Sequence, residues 1–599
     1  GRFKMIVAKA ILQILLIYLI TPEIFSRDIS LLFDDPVLKS SGRGYSSNGE
    51  VVFIHTDRDE YVAGEYLWYA AYLVDMQKKS SNTTSNMIYI ELLNYNNNPI
   101  VRKYIKIVNG AGHGAFMIPD TLGTGSYIIR AYTNLMKNFP PEQCFMKPIN
   151  IYNIFDTKNF TRVSVNGRAP STGSMPSNNL VGNKIRVETQ DLVRRREKTV
   201  IDITFDTALF SGWQKTSLSI SVSPWTGSER FPDICEYLSK AGPDTSHFMS
   251  ERKTGPDLRY ESEENGCLVY GRVISQNLND SSDNKTVMLS VPGKGAFFQY
   301  AITDREGNFS FKINDDAFQK DLIFQVAGNP ENDLIRISSS FWDNYADFKK
   351  ISDTIYSEIP SYIEDWFVNY QVGRVYETKS AGEPIMKNVQ KDINRFYGVP
   401  DFELVMADYV LLPAMQEVFF ELVPGVIMRT GRTRYGITVF NPRDNKPYDT
   451  DATLMVDGII ISDPSIIVEM NPENVERIDV VSTEYMVGGY HFYGIVNVVT
   501  KGGNFNFSLP QNAIKLPFMD QEPERVFVSP DHSSLESEAG RIPDYRNTLY
   551  WNPAVEIDAV GKARIEFRAS DYISDYEIKI QGLTSQGQPL AITKRIRVE

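Results

Sequence analysis

The residues of this chain that could do chemistry are five histidines, three cysteines and many carboxylates. None of His55, His113, His247, His491 and His532 is spaced with another His or a Cys as zinc requires. His55, beside Asp57 and Asp59, is the best acid–base candidate. It stands at a strand end entering a polar turn, which predicts a structural role. No Gly-x-Ser-x-Gly elbow is present to activate a serine. "GAGHGAF", Gly110–Phe116, imitates a dinucleotide loop, but Phe116-Met117-Ile118-Pro119 continues as strand. The phosphate would have no helix N-terminus to sit on. Asp304 and Glu306 in "TDREG" lack the further spaced oxygens of a calcium loop. They read as a tight turn, in which a side-chain acceptor comes first and Gly307 is free to take positive φ. Paired carboxylates decide nothing without a cleft. Cys144, Cys235 and Cys267 are far apart and odd in number, so they form neither a disulfide framework nor a metal knuckle. One bridge is open to them, and three buried thiols are the expectation. The residues therefore predict no enzyme, with no catalytic, cofactor-binding or metal-binding set.

What remains is a candidate for binding. Tyr485, Met486, Tyr490, His491, Phe492 and Tyr493 flank Gly488-Gly489 as an aromatic-rich loop. Aromatics and Met are enriched in interface cores, so these six are the partner-contact candidates. The competing reading is a loop that packs on its own sheet.

The elements that must position these residues are mostly strands, since Tyr, Phe and β-branched residues at this density favour sheets. A chain of 599 residues exceeds what one core supports, so several domains are expected. The net charge of −13, without a basic cluster, argues against nucleic acid. At the N-terminus, Arg2, Lys4 and Lys9 precede the apolar run Ala10–Ile20, followed by Pro22 and Ser26. That is the pattern of a cleaved secretory signal over 1–27. The run is shorter than the ~20 residues of a membrane span. No Cys near the cleavage position suggests a lipid anchor.

After a flexible, Ser- and Gly-rich linker (28–49), "TDRDEYVAGEYLWYAAYLVD" and "GAFMIPDTLGTGSYIIRAYT" form the strands and turns of a sandwich over 50–155. These residues resemble the second macroglobulin-like domain of α2-macroglobulin relatives. The Gly-Cys-Gly-Glu-Gln thioester motif of full macroglobulins is missing, so the resemblance does not imply protease trapping. A linker (156–179) leads to "KTVIDITFDT" and "TSLSISVSPW", strands of a second macroglobulin-like sandwich over 180–262. "GCLVYGRVIS", "KTVMLSVPG" and "FFQYAITDREGNFSFKI" make a third β unit over 263–330. It resembles the carboxypeptidase regulatory-like domain, which implies a seven-stranded sandwich. A mixed connector (331–400) carries a helical stretch in "SYIEDWFVNYQVGRVYE".

Over 401–505, Leu412, Met415, Val418, Phe419 and Leu422 fall at helical spacing, with Pro413 suited to the first turn. Asp457-Gly458 is a tight turn between two strands. "VERIDVVST" and "IVNVVT" are the closing strands. Val423-Pro424-Gly425-Val426, Met455-Val456-Asp457-Gly458, Val475-Glu476-Arg477-Ile478 and Thr500-Lys501-Gly502-Gly503 resemble, in order and spacing, the plug of SusC-like TonB-dependent receptors. No TonB box is recognisable ahead of them. About a hundred residues follow, against the roughly 220 that 22 strands of a barrel would take. They form a proline-rich connector (506–545) and, from "YWNPAVEIDAVGKARIEF", a C-terminal macroglobulin- or Ig-like sandwich over 546–599.

The expected fold class is mainly β and multi-domain, with several sandwiches, one small α/β plug-like unit and no transmembrane β-barrel. The resemblance implies a barrel-less Bacteroidota protein, exported to the periplasm or outer membrane of a Gram-negative cell. It implies no cofactor, and a non-enzymatic binding or accessory role on an outer-membrane barrel or an envelope transport or assembly complex. Membrane contact would come through that partner. The alternative is a macroglobulin-like module that binds proteases, peptides or glycans and keeps the plug as a rigid spacer.

Overall fold

The computed structural model describes residues 49–81, 83–156, 160–165, 185–206, 216–227, 230–241, 260–264, 266–276, 281–313, 321–328, 333–346, 352–357, 359–376, 394–430, 435–506, 509, 513–517, 525–530 and 543–599. The expected signal at 1–27 lies outside them, as do nearly all of the linker at 28–49, most of the linker at 156–179, His247 and His532.

Eight strands build the first sandwich: β1 (Glu50–Thr56), β2 (Glu60–Val62), β3 (Tyr66–Asp75), β4 (Met87–Leu93), β5 (Pro99–Lys106), β6 (Ala111–Met117), β7 (Gly125–Tyr132) and β8 (Phe145–Tyr152). One sheet runs β1-β3-β6 and the other β2-β8-β7-β4-β5. Ala111–Phe116 is strand, since Gly112 and Gly114 pair across to Ala71 and Tyr69; Gly110 lies in the turn before it, and the strand expected over Phe116–Pro119 ends at Met117. A Cβ at Gly114 would lie 2.5 Å from the Tyr69 hydroxyl, so glycine is needed there for close approach. β1, β3 and β4 are buried along nearly their whole length rather than at alternate residues. Other units cover them: Trp551, Leu583 and Ile234 join the core around β1 and β3, and Met87 of β4 belongs to the core of a later unit.

The chain continues through β9 (Phe160–Val165), β10 (Ile185–Glu188), β11 (Leu192–Val193), β12 (Lys198–Phe205), β13 (Thr216–Pro224) and helix α1 (Ile234–Ala241). Next come β14 (Cys267–Ser275), β15 (Thr286–Val291), β16 (Phe297–Ile302), β17 (Asn308–Ile313), β18 (Asp321–Val326) and β19 (Asp333–Ile337). β20 (Ser352–Ser357) returns to pair antiparallel with β9. Helix α2 (Tyr362–Val375) falls where the aromatic-rich stretch predicts one.

The α/β unit contains β21 (Phe402–Val405), α3 (Met415–Leu422), β22 (Val426–Thr430), β23 (Tyr435–Asn441), β24 (Lys446–Pro447), β25 (Thr453–Val456) and β26 (Ile459–Ile461). α4 (Ser465–Val468), β27 (Val475–Val487) and β28 (Tyr490–Thr500) complete it. Its main sheet runs β21-β27-β28-β25-β26, with β25 parallel to β28 and β22-β23-β24 as a second sheet. α3 buries Met415, Val418 and Phe419, as their spacing predicts. Pro413 lies ahead of the helix, whose N-cap is Ala414, and so outside the first turn assigned to it from sequence. Asp457 and Gly458 both take positive φ, +50° and +79°, the geometry of a two-residue hairpin turn.

The C-terminal stretch holds β29 (Ile514–Pro517), β30 (Tyr550–Asn552), β31 (Lys562–Arg568), β32 (Ser574–Thr584) and β33 (Pro589–Val598). Two expectations are corrected here. The stretches 180–262 and 546–599, read as two sandwiches, contribute strands to the same two sheets: β10-β12-β31 and β11-β33-β32-β13-β30. They form one sandwich in two pieces. β12 and β31 each alternate buried and exposed residues, so each supplies one face of a core and needs the other as a neighbour. The connector 506–545 also carries structure. β29 pairs with β18, making the sheet β16-β15-β18-β29 opposite β17-β14-β19. The third unit is thus a seven-stranded sandwich whose last strand comes from nearly two hundred residues downstream.

Among the described residues the protein is mainly β, with several open sheets and no closed barrel. No helix among them is long and apolar enough to cross a membrane.

Candidate functional site

The stretch expected as an aromatic loop is instead a continuous hairpin. Tyr485 pairs with Phe492, Met486 with His491 and Val487 with Tyr490, leaving Gly488-Gly489 as the turn. Side chains along a strand alternate between faces, and directly paired residues share one. The six candidates therefore divide in half. Tyr485, Tyr490 and Phe492 face inward, while Met486, His491 and Tyr493 face out.

The inward face is a joint to the seven-stranded sandwich. Phe492 is fully buried in a cluster with Met288, Phe298, Met455 and Ile495. Its ring lies edge-on to Phe298 at 5.0 Å, and Tyr490 lies 5.2 Å from the same ring. Tyr490 donates its hydroxyl to Met288 Sδ at 3.5 Å, and Tyr485 donates to the Phe396 carbonyl at 2.6 Å. At the turn, Gly489 N–H donates to the Tyr300 hydroxyl at 2.8 Å. Gly458 packs its Cα against the Gly295 carbonyl, where a Cβ would come within 2.9 Å. The Asp457 carboxylate, buried in the α/β unit, accepts from Thr500 N–H, Thr500 Oγ1 and Phe505 N–H at 2.7, 2.7 and 2.8 Å. That clamp fixes the end of β28 to the β25–β26 turn. The competing expectation is a loop packing on its own sheet; these three aromatics instead pack from a hairpin onto Met288 and Phe298 of the neighbouring sandwich.

The outward face carries Glu484, Met486, His491 and Tyr493. His491 Nδ1 is 2.7 Å from Glu484 Oε1, and its ring stacks on Tyr493 with centroids 6.2 Å apart. Tyr448 lies 5.9 Å beyond Tyr493. Its hydroxyl is buried and has no hydrogen-bond partner among the described residues, and burial raises its pKa. Met486 is 58% exposed and Tyr493 45%. This is a contiguous strip of rings and thioether standing on a backbone that the inward face holds rigid.

The best acid–base candidate lies elsewhere and is built differently. His55 is buried, with Nδ1 2.6 Å from Ser219 Oγ. Ser219 also receives the Tyr72 hydroxyl at 2.7 Å. Both partners are sealed between the first sandwich and the two-piece sandwich, so the pair is a structural link, as expected from sequence. Around it the Thr56–Glu65 turn is a hub. Asp57 accepts from Tyr61 OH at 2.8 Å, Trp68 N–H at 3.1 Å and Thr548 Oγ1 at 2.6 Å. Arg58 bridges Asp57 at 3.3 Å and Glu65 at 3.1 Å, with its guanidinium over the Tyr61 ring. Burial opposes its charge, yet Glu65 and Asp57 raise its pKa further. Asp59 pairs with Lys147 at 2.5 Å and Lys579 at 3.8 Å. Against the cost of burial, those two cations hold its carboxyl well below the usual range. Sequence reasoning saw the motif but not this role, because Thr548, Lys579 and Ser219 are hundreds of residues away.

Asp304 makes the turn assigned to it: Oδ1 accepts from Glu306 and Asn308 N–H at 3.0 and 2.8 Å, and Gly307 takes φ +85°. The three cysteines are free, with Cys144 and Cys267 buried and Cys235 only half-buried, short of the full burial expected of it. Among the described residues no group of three or more His, Cys, Asp or Glu is placed to hold a metal ion.

No family model matches this chain, and no curated protein does. Among solved structures it is similar to trypsin-activated alpha-2-macroglobulin from Escherichia coli, at 9% identity and a TM-score of 0.23. The match covers 93% of this chain and 42% of that one. Salmonella alpha-2-macroglobulin reacted with methylamine gives 9% identity and a TM-score of 0.24, over 93% of this chain and 40% of that one. A tetra-tandem repeat from the extending region of a large adhesion protein gives 8% identity and a TM-score of 0.12, over 92% and 99%. The chain thus spans less than half the length of the macroglobulins it matches. Scores this low fix neither a shared arrangement of units nor a shared activity.

Proposed function

We propose that this chain is a non-enzymatic, exported binding protein of a Gram-negative envelope, and that an outer-membrane barrel or envelope complex docks on the outer face of the β27–β28 hairpin. The division of that hairpin supports the reading. Its inner rings are locked into the seven-stranded sandwich, and its outer rings stand on this fixed base with no cover among the described residues. A rigid aromatic and Met strip loses little side-chain freedom on binding, which favours its use as an anchor. The plug-like order of motifs over 401–505 supports a barrel as the class of partner. The decisive experiment is a mild cross-link in intact cells, followed by purification from solubilised outer membrane and mass spectrometry. One barrel protein should be recovered in near-equal amount, and Met486→Asp with Tyr493→Ser should abolish it. Recovery of the tagged protein alone, in the soluble periplasmic fraction, would sink this reading.

The same joint favours a second reading. A plug-like unit fused to a sandwich through buried aromatics also suits a rigid spacer in a macroglobulin-like module that binds proteases, peptides or glycans. On that reading the hairpin substitutions would leave capture unchanged, and ligands would be lost only with changes in the sandwiches.

A further inference from the structure

We propose that the seam between the first sandwich and the two-piece sandwich is an acid-opened joint, in which His55 takes up the proton.

His55 sits where β1 meets β13 through Ser219, β30 through Trp551 and β8 through Lys147. Its ring centroid is 5.3 Å from that of Trp551. With Nδ1–H donating to Ser219 Oγ, the neutral imidazole leaves only the bare acceptor Nε2 unpaired, but an imidazolium carries two N–H donors. Nε2 is buried with no acceptor among the described residues, so the charged ring would have a donor with nowhere to go. The surrounding charges give no relief. β8 presents Lys147, β32 presents Lys579 and Glu577, the β1–β2 turn presents Asp59, and the loop before α1 presents Arg230. Both carboxylates are already engaged: Asp59 by Lys147 and Lys579, Glu577 by Lys579 at 3.1 Å and Arg230 at 3.8 Å. A proton on His55 would place a fourth cation among three.

Burial first, and then Lys147 and Lys579, hold the imidazole well below the ordinary histidine range of the closed state. With the seam open, His55 would titrate as an ordinary histidine near 6.5. The sign follows. Closure is fully favoured above that value and weakens as pH falls below it, by about tenfold in the opening equilibrium per pH unit. The other seam contacts are short polar bonds, such as Tyr72 OH to the Gln581 carbonyl at 3.0 Å and Asn547 Nδ2 to Glu65 Oε1 at 3.0 Å, together with the packing of Trp551 and Leu583 into the core around β1 and β3. Water can replace the polar bonds once the seam parts, and the exposure of Trp551 and Leu583 opposes the opening. The two-piece sandwich keeps a further core around Ile201, Leu218 and Ile578.

Hydrogen exchange of the full chain at pH 7, 6 and 5, corrected for the intrinsic pH dependence of exchange, tests this. Protection of the Ser81 N–H, which donates across the seam to the Ser585 carbonyl, should fall by about 20-fold between pH 7 and pH 5 relative to the β27–β28 hairpin. His55→Gln keeps an amide for Ser219 but cannot titrate, and should flatten the profile over that range. Unchanged seam protection in the wild type, or an equal fall in seam and hairpin, would overturn the proposal without recourse to the variant. So would a His55→Gln chain that loses protection as the wild type does.

Discussion

The joint around His55 and the joint around Phe492 each tie distant parts of the chain together, but from different material. At the first, the buried Asp57, Arg58 and Lys147 and the half-buried Asp59 and Lys579 are held by hydrogen bonds and ion pairs that specify one geometry. At the second, rings and methionines fill most of the volume, with Gly489 bonded to Tyr300 at the turn and Tyr397 bonded to the buried Asp479 and Asn497 at one side. Buried ions add little net stability but cost heavily when one partner is removed. Apolar packing stabilises in proportion to what it buries and is indifferent to pH. The first joint is therefore exacting and condition-dependent, and the second is robust and tolerant.

Four experiments sharpen or break that contrast. The largest effect is expected from Arg58→Ala, which leaves the buried Asp57 and the half-buried Glu65 without their cation. It should cost about 3–5 kcal/mol in urea unfolding, and a loss below 1 kcal/mol would show the hub to be dispensable. Phe492→Ala should cost about 3 kcal/mol, and Phe492→Leu should recover much of it, since volume rather than geometry is what counts there. Equal losses for Ala and Leu would mean that the second joint is as exacting as the first.

Acid should move the two regions in opposite directions. Asp59 is held down by Lys147 and Lys579 despite its burial, so its contribution is complete above the ordinary 3.8 and is lost as pH falls below it. Asp479 in the α/β unit is the reverse. Burial raises its pKa in spite of Tyr397, Arg477 and Arg395, so its stability is greatest below 3.8 and declines as pH rises through the raised value. Between pH 5 and 3, hydrogen exchange should show the first sandwich losing protection relative to β27 and β28; parallel losses would refute the assignment. The smallest effect is expected from Met486→Asp, which should change unfolding by less than about 0.5 kcal/mol, as exposed positions do. A larger loss would place Met486 in the joint rather than on the free face.

Much of this was legible locally. The alternation of "KTVIDITF" and "KARIEFR" announces strands with one buried face, and Asp304, Gly307, Asp457 and Gly458 announce their turns. The aromatic stretch at 485–493 reads from sequence as a loop. With apolar rings on both faces it carries no one-sided alternation to mark it as strand, and only the sandwich beneath explains the inner rings. Strand partners were the illegible part. Nothing in residues 185–224 names 549–598 as the strands that complete their sheets. Nor does "IKLP" announce that it closes a sandwich begun at Cys267. A period of two says which face is buried, not against which neighbour. His55 is buried against Ser219, a partner too distant for any motif to supply.

The sandwich built from residues 185–224 and 550–598 sets an order on synthesis. β12 and β13 emerge more than three hundred residues before β31 and β32, the strands that flank them. Until then each presents an unpaired edge, the kind of surface that recruits wrong partners. The first sandwich, the seven-stranded unit and the α/β unit can each gather most of their own strands while that domain waits. A ribosome that stalls, or a protease that cuts, anywhere beyond β29 would thus leave a chain with three finished units and one open one. Addition of β30–β33 acts as a proofreading step, because only a chain that carries them can hide those edges.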